Sequence, residues 1–139
     1  MSVLRRLVRY HRHLLDEKRR NLRTLEERAA AIEEAIERLD KSVVAEQRIA
    51  KRSSEVLRAY GGFARAALDR RGALLSALSE ANSAVEAARE ELLDAFAEVK
   101  RYEISLDHQE RAERAEQARK FQGQLDESAL NLYRRRDRG

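Results

Sequence analysis

Three histidines and many paired carboxylates are the side chains of this sequence that could do acid–base or metal chemistry. His11, His13 and His108 lack the carboxylate neighbours that a metal or acid–base site needs. The paired glutamates recur throughout a highly charged chain, so their presence is not specific. No glycine-rich phosphate loop and no nucleophile elbow is present. The sequence therefore predicts a protein that is not an enzyme and that needs no cofactor or metal.

Arginine is the other candidate for chemistry, through binding of anions. The first 24 residues carry a net charge of +6 and residues 100–139 carry +2, whereas residues 61–99 carry −3. A basic helical arm can follow the phosphates of a nucleic acid. The cations alternate with apolar residues and few aromatic residues are available for base stacking, so nucleic-acid binding stays as an alternative. The residues of this candidate arm are Arg5, Arg6, Arg9, Tyr10, Arg12, Arg19, Arg20 and Arg23.

The same N-terminal segment is basic and amphipathic, as transit peptides and membrane-surface helices are. Asp16 and Glu17 interrupt its basic face, and its apolar spacing continues into the next forty residues. No run of eighteen apolar residues occurs, so we expect no membrane-spanning helix. We therefore interpret the segment as the start of a longer helix.

The composition is typical of long helices. Charged residues make up 39% of the 139 residues, with no proline, tryptophan or cysteine and only five glycines. Few large apolar side chains are available for a compact core, so apolar area can be buried only along a narrow seam. The predicted fold class is all-α and elongated.

This prediction rests on a heptad pattern of apolar residues. Apolar residues alternate at spacings of four and three over about eight heptads, which is typical of a coiled coil. The seam contains the polar residues His11, Lys18, Glu46 and Ser53 and the apolar residues Leu4, Val8, Leu15, Leu22, Leu25, Ala29, Ile32, Ile36, Leu39, Val43, Ala50, Leu57 and Tyr60.

Gly61 and Gly62 then interrupt the pattern. Two glycines are costly inside a helix, about 1 kcal/mol each relative to alanine, and they can supply the positive φ of a tight turn. The alternation resumes after them, with Leu75 and Phe96 widening the stripe. Its members are Leu74, Leu78, Ala81, Val85, Ala88, Leu92, Ala95, Val99, Tyr102 and Leu106.

Two heptad helices joined by a short turn favour a two-helix antiparallel coiled-coil hairpin over one long kinked helix in a parallel dimer. The predicted organisation is a first helix at 1–60, a turn at 61–63 and a second helix at 64–139. With the turn there, Ser2 faces Phe121, and everything after Gly123 forms a C-terminal helical overhang. A later turn near Gly72 would shift this register.

The second helix ends in two distinctive parts. The polar segment 107–120 contains acid-to-base pairs four residues apart, Asp107 with Arg111, Glu110 with Arg114 and Glu116 with Lys120, which support an exposed helix. The amphipathic basic tail 121–139 carries an apolar stripe that could dock in a groove. The stripe consists of Phe121, Leu125, Ala129 and Leu132, with Tyr133 beside it.

This order of elements resembles the FliJ proteins of the bacterial flagellar export apparatus, with the YscO-type proteins of injectisome secretion next. The local likeness is the run Leu125, Asp126, Glu127 and Ala129, preceded by Glu116, Gln117 and Arg119. The resemblance implies a non-enzymatic stalk at the cytoplasmic face of the inner membrane. Its expected partners are the hexameric export ATPase, the membrane-embedded export gate and export chaperones.

The resemblance also implies two sets of contact residues. The first would form an ATPase-binding tip, and the second, more weakly matched, would contact the export gate. The tip consists of Leu4, Leu7, Arg9, Arg12, Phe121, Leu125, Asp126, Glu127, Leu132 and Tyr133. The gate set consists of Gln47, Tyr60, Phe63, Phe96 and Tyr102.

Three classes of function therefore remain open at this point. The chain is a stalk of an export ATPase, a basic hairpin that binds nucleic acid, or a structural coiled-coil homodimer whose C-terminal stripe is covered by a second copy. The polar segment of the second helix disfavours the homodimer, because such a dimer would be expected to keep its seam apolar.

Overall fold

The computed structural model describes residues 2–52 and 54–138. It contains two α-helices, α1 at Val3–Ala50 and α2 at Ser54–Arg138, and no strand among the described residues. The predictions of an all-α chain and of two helices joined as a hairpin are confirmed. The seam member Ser53 and the C-terminal Gly139 lie outside the described residues.

The heptad seam of α1 is confirmed along the length of that helix. Every predicted position from Leu4 to Ala50 is buried or half-buried, including the polar members His11, Lys18 and Glu46. Val8 and Ala50 are the most deeply buried, each 3% exposed. An apolar residue on every third or fourth position places one stripe on one side of a helix, and that stripe is removed from water.

The seam of α2 is confirmed in the same way. All ten predicted positions from Leu74 to Leu106 are buried or half-buried. Leu75 and Phe96, which were expected to widen the stripe, are exposed. The seam also extends further toward the N-terminus of α2 than predicted, through Val56, Tyr60, Ala64 and Ala67.

The chain divides into two compact units, each built from a segment of both helices. One unit contains residues 14–95, and its core is a cluster of Ala29, Ala81 and Val85 packed with leucine and isoleucine side chains. Ion pairs join Lys18 to Glu91 at 3.0 Å and Asp40 to Arg71 at 2.9 Å, so residue numbers fall along α2 as they rise along α1.

The other unit contains residues 1–13 and 96–139, of which 2–13 and 96–138 are described. The Ser2 hydroxyl donates to Gln109 Oε1 at 3.3 Å, and Arg5 and Arg12 form ion pairs with Glu110 and Glu103. From the Arg5 pair to the Arg12 pair, residue numbers again fall along α2 as they rise along α1.

The predicted position of the turn was wrong. The first helix ends at Ala50 and the second begins at Ser54, and Gly61 and Gly62 lie inside α2 with no positive φ. Leu57, assigned to the seam of the first helix, belongs to α2 and is exposed. The physical reason is that the half-buried side of α2 already begins at Val56, and burial of an amphipathic face outweighs the helix-propensity cost of two glycines.

The residues around the actual turn fit its position. Ser54 and Glu55 begin α2, and serine and acidic residues are favoured at helix N-termini. Arg48 lies in the last turn of α1, where a cation complements the helix macrodipole. The backbone N–H of Arg52 donates to the carbonyl of Ile49 at 3.0 Å, which closes the end of α1.

Candidate interaction surface

Because the turn lies earlier in the sequence than predicted, α2 extends beyond α1 from an earlier residue than predicted. Ser2 lies opposite Gln109 rather than opposite the predicted Phe121. Residues 111–138 are all exposed, although they remain helical to Arg138. We call residues 111–138 the C-terminal extension. The predicted overhang is therefore present, and it begins before the polar segment ends rather than after Gly123.

The polar part of the extension is held by its own side chains. Arg111 pairs with Asp107 at 3.1 Å, as predicted. Arg119, rather than Lys120, pairs with Glu116 at 3.5 Å. Such exposed pairs each stabilise a helix by only about 0.2 to 0.5 kcal/mol, so their effect is to favour helix where packing is absent.

The third predicted pair, Glu110 with Arg114, is replaced by contacts that include a residue of α1. Glu110 accepts hydrogen bonds from Arg5, while Arg114 Nε donates to the backbone carbonyl of Glu110 at 3.3 Å. The carboxylate of Glu110 thus joins the two helices instead of supporting α2 alone. Beyond Glu110, the described part of α2 is exposed to its end.

The predicted tip residues on the extension are exposed to solvent. Phe121 is 62% exposed, Leu125 48% and Leu132 66%, and Tyr133 lies beside them. Asp126 accepts a hydrogen bond from Gln122 at 3.1 Å, one turn earlier, and Glu127 is exposed. These side chains form an apolar stripe with polar flanks that no described part of the chain covers.

The predicted tip residues on α1 have different surroundings. Leu4 and Leu7 are half-buried, Arg9 is exposed, and Arg12 binds Glu103 at 3.1 Å. They lie beside the part of α2 that ends near Glu110. At 1.5 Å per residue, Phe121 lies about 16 Å further along the helix, so the two halves of the predicted tip form separate patches.

Glu103 has a shifted acidity in this region. Hydrogen bonds from Arg12 hold the pKa of the Glu103 carboxyl below its ordinary value of 4.5, and Lys100 acts in the same direction against the opposing effect of burial. Next to this pair, the His11 ring stacks on Tyr102 with centroids 4.4 Å apart. The heptad spacing predicts His11 and Tyr102 in the seams, but it does not predict the Arg12–Glu103 and His11–Tyr102 pairings, because they depend on the register between the helices.

The predicted gate residues are found in both units. In the unit of residues 14–95, Gln47 is exposed and the rings of Tyr60 and Phe63 lie 6.2 Å apart. In the other unit, Phe96 is exposed with Lys100 Nζ 5.4 Å from its centroid, and Tyr102 is half-buried against His11.

Part of the candidate nucleic-acid arm is engaged by carboxylates. Arg5 and Arg12 bind glutamates of α2, and Arg19 pairs with Asp16 at 3.4 Å. Each such pair reduces the positive charge available to phosphates. Within residues 2–52 and 54–138, no group of three or more histidine, cysteine or acidic residues could hold a metal ion. No helix in those ranges is apolar enough over a sufficient length to cross a membrane.

Comparison with known proteins identifies the family. The family model described as "Flagellar FliJ protein" matches residues 1–138. Neither the comparison with curated proteins nor the comparison with solved structures found a match. Members of the matched family are non-catalytic accessory proteins of flagellar protein export. Because the match covers nearly the whole sequence, this chain belongs to the FliJ family.

Proposed function

We propose that this chain is a stalk of the flagellar export apparatus whose C-terminal extension enters the ring of the export ATPase and promotes its assembly and activity. The observation that carries the proposal is the exposed stripe of Phe121, Leu125 and Leu132 on a helix that continues beyond its partner. An amphipathic helix with an uncovered apolar face is suited to a groove or pore of a larger protein.

Charge supports the same end of the molecule. The last five described residues include Arg134, Arg135, Arg136 and Arg138, with Asp137 as the one acid among them. A cationic helix end speeds the encounter with an acidic surface and helps to orient the complex. The patch of Leu4, Leu7 and Arg9 on α1 would then contact the rim of the ring rather than its interior.

A stalk must resist bending, and the paired helices would supply this stiffness within each unit. The long heptad seams favour knobs-into-holes packing in an antiparallel coiled coil. We propose this packing for the paired parts of both units, where cross-helix contacts such as Arg12 with Glu103 and Lys18 with Glu91 fix the register.

The remaining partners are proposed from what the family resemblance implies. We propose contacts with the cytoplasmic part of the export gate and with export chaperones, at the cytoplasmic face of the inner membrane. Gln47, Tyr60 and Phe63 are one candidate gate patch, and Phe96 is a second. Tyr102 is a weaker candidate because its ring is engaged with His11.

The test is ATP hydrolysis by the export ATPase from the same organism, measured with increasing amounts of this chain. We expect stimulation by the full chain, loss of stimulation when the chain ends at Lys120, and strong weakening by Leu125→Asp. Leu130→Asp is the matched control, because Leu130 is also exposed but lies about 140° around the helix from Leu125. No stimulation by the full chain, with an ATPase that is itself active, would overturn the proposal.

A further inference from the structure

The extension carries a second heptad seam, distinct from the one that packs on α1. Continuing the first seam beyond Leu106 and Gln109 leads to Glu113, Glu116 and Lys120, which are charged and exposed. The apolar residues of the extension instead follow a different face, again at spacings of four and three. The members of this second seam are Arg114, Ala118, Phe121, Leu125, Ser128 and Leu132.

We propose that, in the free protein, a second copy of this chain covers that seam by pairing antiparallel with it. If the two copies are related by a twofold axis near residue 123, Phe121 of each faces Leu125 of the other. The same axis places Ala118 opposite Ser128 and Arg114 opposite Leu132. Each of these positions thus meets another seam position, as an isologous interface requires.

The flanking positions are also self-complementary. The residues that flank the seam form one row on each side of it, and in an antiparallel pair each row meets the same row of the other copy. Ala115 then lies opposite Ala129, and Gln117 lies opposite Asn131. Gln122 and Gln124 lie close to the axis and meet their own copies. At these flanking positions, amides therefore meet amides and alanines meet alanines, without a buried charge.

The charges of the extension select the antiparallel direction. Residues 107–116 carry a net charge of −2, and residues 130–138, which would lie opposite them, carry +3. Nearer the axis, Lys120 and Arg119 of one copy lie at the same level along the pair as Asp126 and Glu127 of the other, on its outer side. A parallel pair would instead bring the terminal arginines of both copies together, and like charges in contact are unfavourable.

The interface is small. Each copy contributes three large apolar side chains, Phe121, Leu125 and Leu132, so we expect a weak dimer of the transient kind that interfaces below about 1,200 Å² form. The proposed ATPase ring would bind the same side chains. The dimer would therefore cover the stripe of the free protein and dissociate when the ring engages it.

Sedimentation equilibrium of the full chain, without any ATPase, tests the pairing. We expect Phe121→Glu alone and Leu125→Lys alone to raise the dissociation constant at least about tenfold. Mixing these two variants should give a heterodimer tighter than either homodimer, because the introduced glutamate would face the introduced lysine while the other site keeps leucine against phenylalanine. Leu130→Glu, on the opposite side of the helix, is the matched control and should dimerise normally. All three positions are exposed, and circular dichroism verifies that each variant keeps its helix.

Disulfide formation gives the direction independently, since the natural chain has no cysteine. Chains with Ala118→Cys and chains with Ser128→Cys should cross-link to each other in a mixture, and much less to themselves. Cross-linking of each variant mainly to itself would show a parallel pair and overturn the proposal. A wild-type chain that stays monomeric at about 500 µM would also overturn it, while leaving the ATPase proposal untouched.

Discussion

Replacing Gly61 and Gly62 with alanine should stabilise the protein. Both glycines lie inside α2 with no positive φ, and a Cβ built on either meets no atom within 4 Å. Alanine is better than glycine in a helix interior by about 0.8 to 1.0 kcal/mol per position. Part of this gain arises because alanine restricts the unfolded chain. The double variant should therefore gain about 2 kcal/mol in the free energy of unfolding.

Urea denaturation followed by circular dichroism measures this change. With an m value of about 2 kcal/mol/M, the midpoint should rise by about 1 M urea while m stays constant. Gly72→Ala is a matched control of the same kind, since Gly72 is also helical with open space around its Cβ. It should raise the free energy of unfolding by about 1 kcal/mol.

A loss of stability on replacing Gly61 and Gly62 with alanine would refute the position of the turn. If the chain turned at Gly61 and Gly62, alanine there would be forced into a positive φ and would destabilise the protein, by more than about 1 kcal/mol. A fall in stability for the double variant, together with a rise for Gly72→Ala, would contradict a turn between Ala50 and Ser54.

Three further predictions concern packing, acidity and the extension. Val85→Ala, in the core of the unit 14–95, should lower the free energy of unfolding by about 2 kcal/mol, from two lost methylene equivalents plus a cavity. Leu93→Ala, at an exposed site, should change that free energy by less than about 0.5 kcal/mol. Equal effects of the two substitutions in urea titrations would contradict the predicted seam. The lowered pKa of Glu103 stabilises the folded state above pH 4.5, and this contribution is lost as the pH falls through the folded pKa. Glu103→Gln should therefore lower the thermal midpoint at pH 7, and the midpoints of the variant and the wild type should converge in acid. A difference in midpoint that stays constant at all pH values would refute the pairing with Arg12. At protein concentrations too low for the proposed dimer, ending the chain at Lys120 should leave the urea midpoint unchanged, because residues 121–138 are exposed throughout; a lower midpoint there would show that the extension packs on the rest of the chain.

The seams could be predicted from the sequence because they rest on spacing repeated over many turns. A single residue that does not fit hardly alters a pattern of so many repeats, and the side chains buried from Val8 to Val99 lie along the seams. The turn could not be located in this way. Gly61 and Gly62 are the strongest local turn signal, but the free energy of burying the side of α2 that begins at Val56 overrides it.

The candidate site was predicted in part for the same reason. The stripe from Phe121 to Tyr133 is a local helical pattern, so its existence was evident from spacing alone. Its surroundings depend on the helix register, which the misplaced turn shifted. Contacts between the helices, such as Arg5 with Glu110 and His11 with Tyr102, need that register and could not be derived from the sequence.

Site-specific cross-linking to the export ATPase tests the central claim most directly. Because the natural chain has no cysteine, a single cysteine replacing Leu125 or Ser79 can carry a short photoactivatable cross-linker. Ser79 is an exposed position in the unit of residues 14–95 and serves as the control. We expect the probe at 125 to cross-link to the assembled ATPase ring and the probe at 79 not to do so. Cross-linking from 79 alone, or from both positions equally, would contradict insertion of the C-terminal extension into the ring.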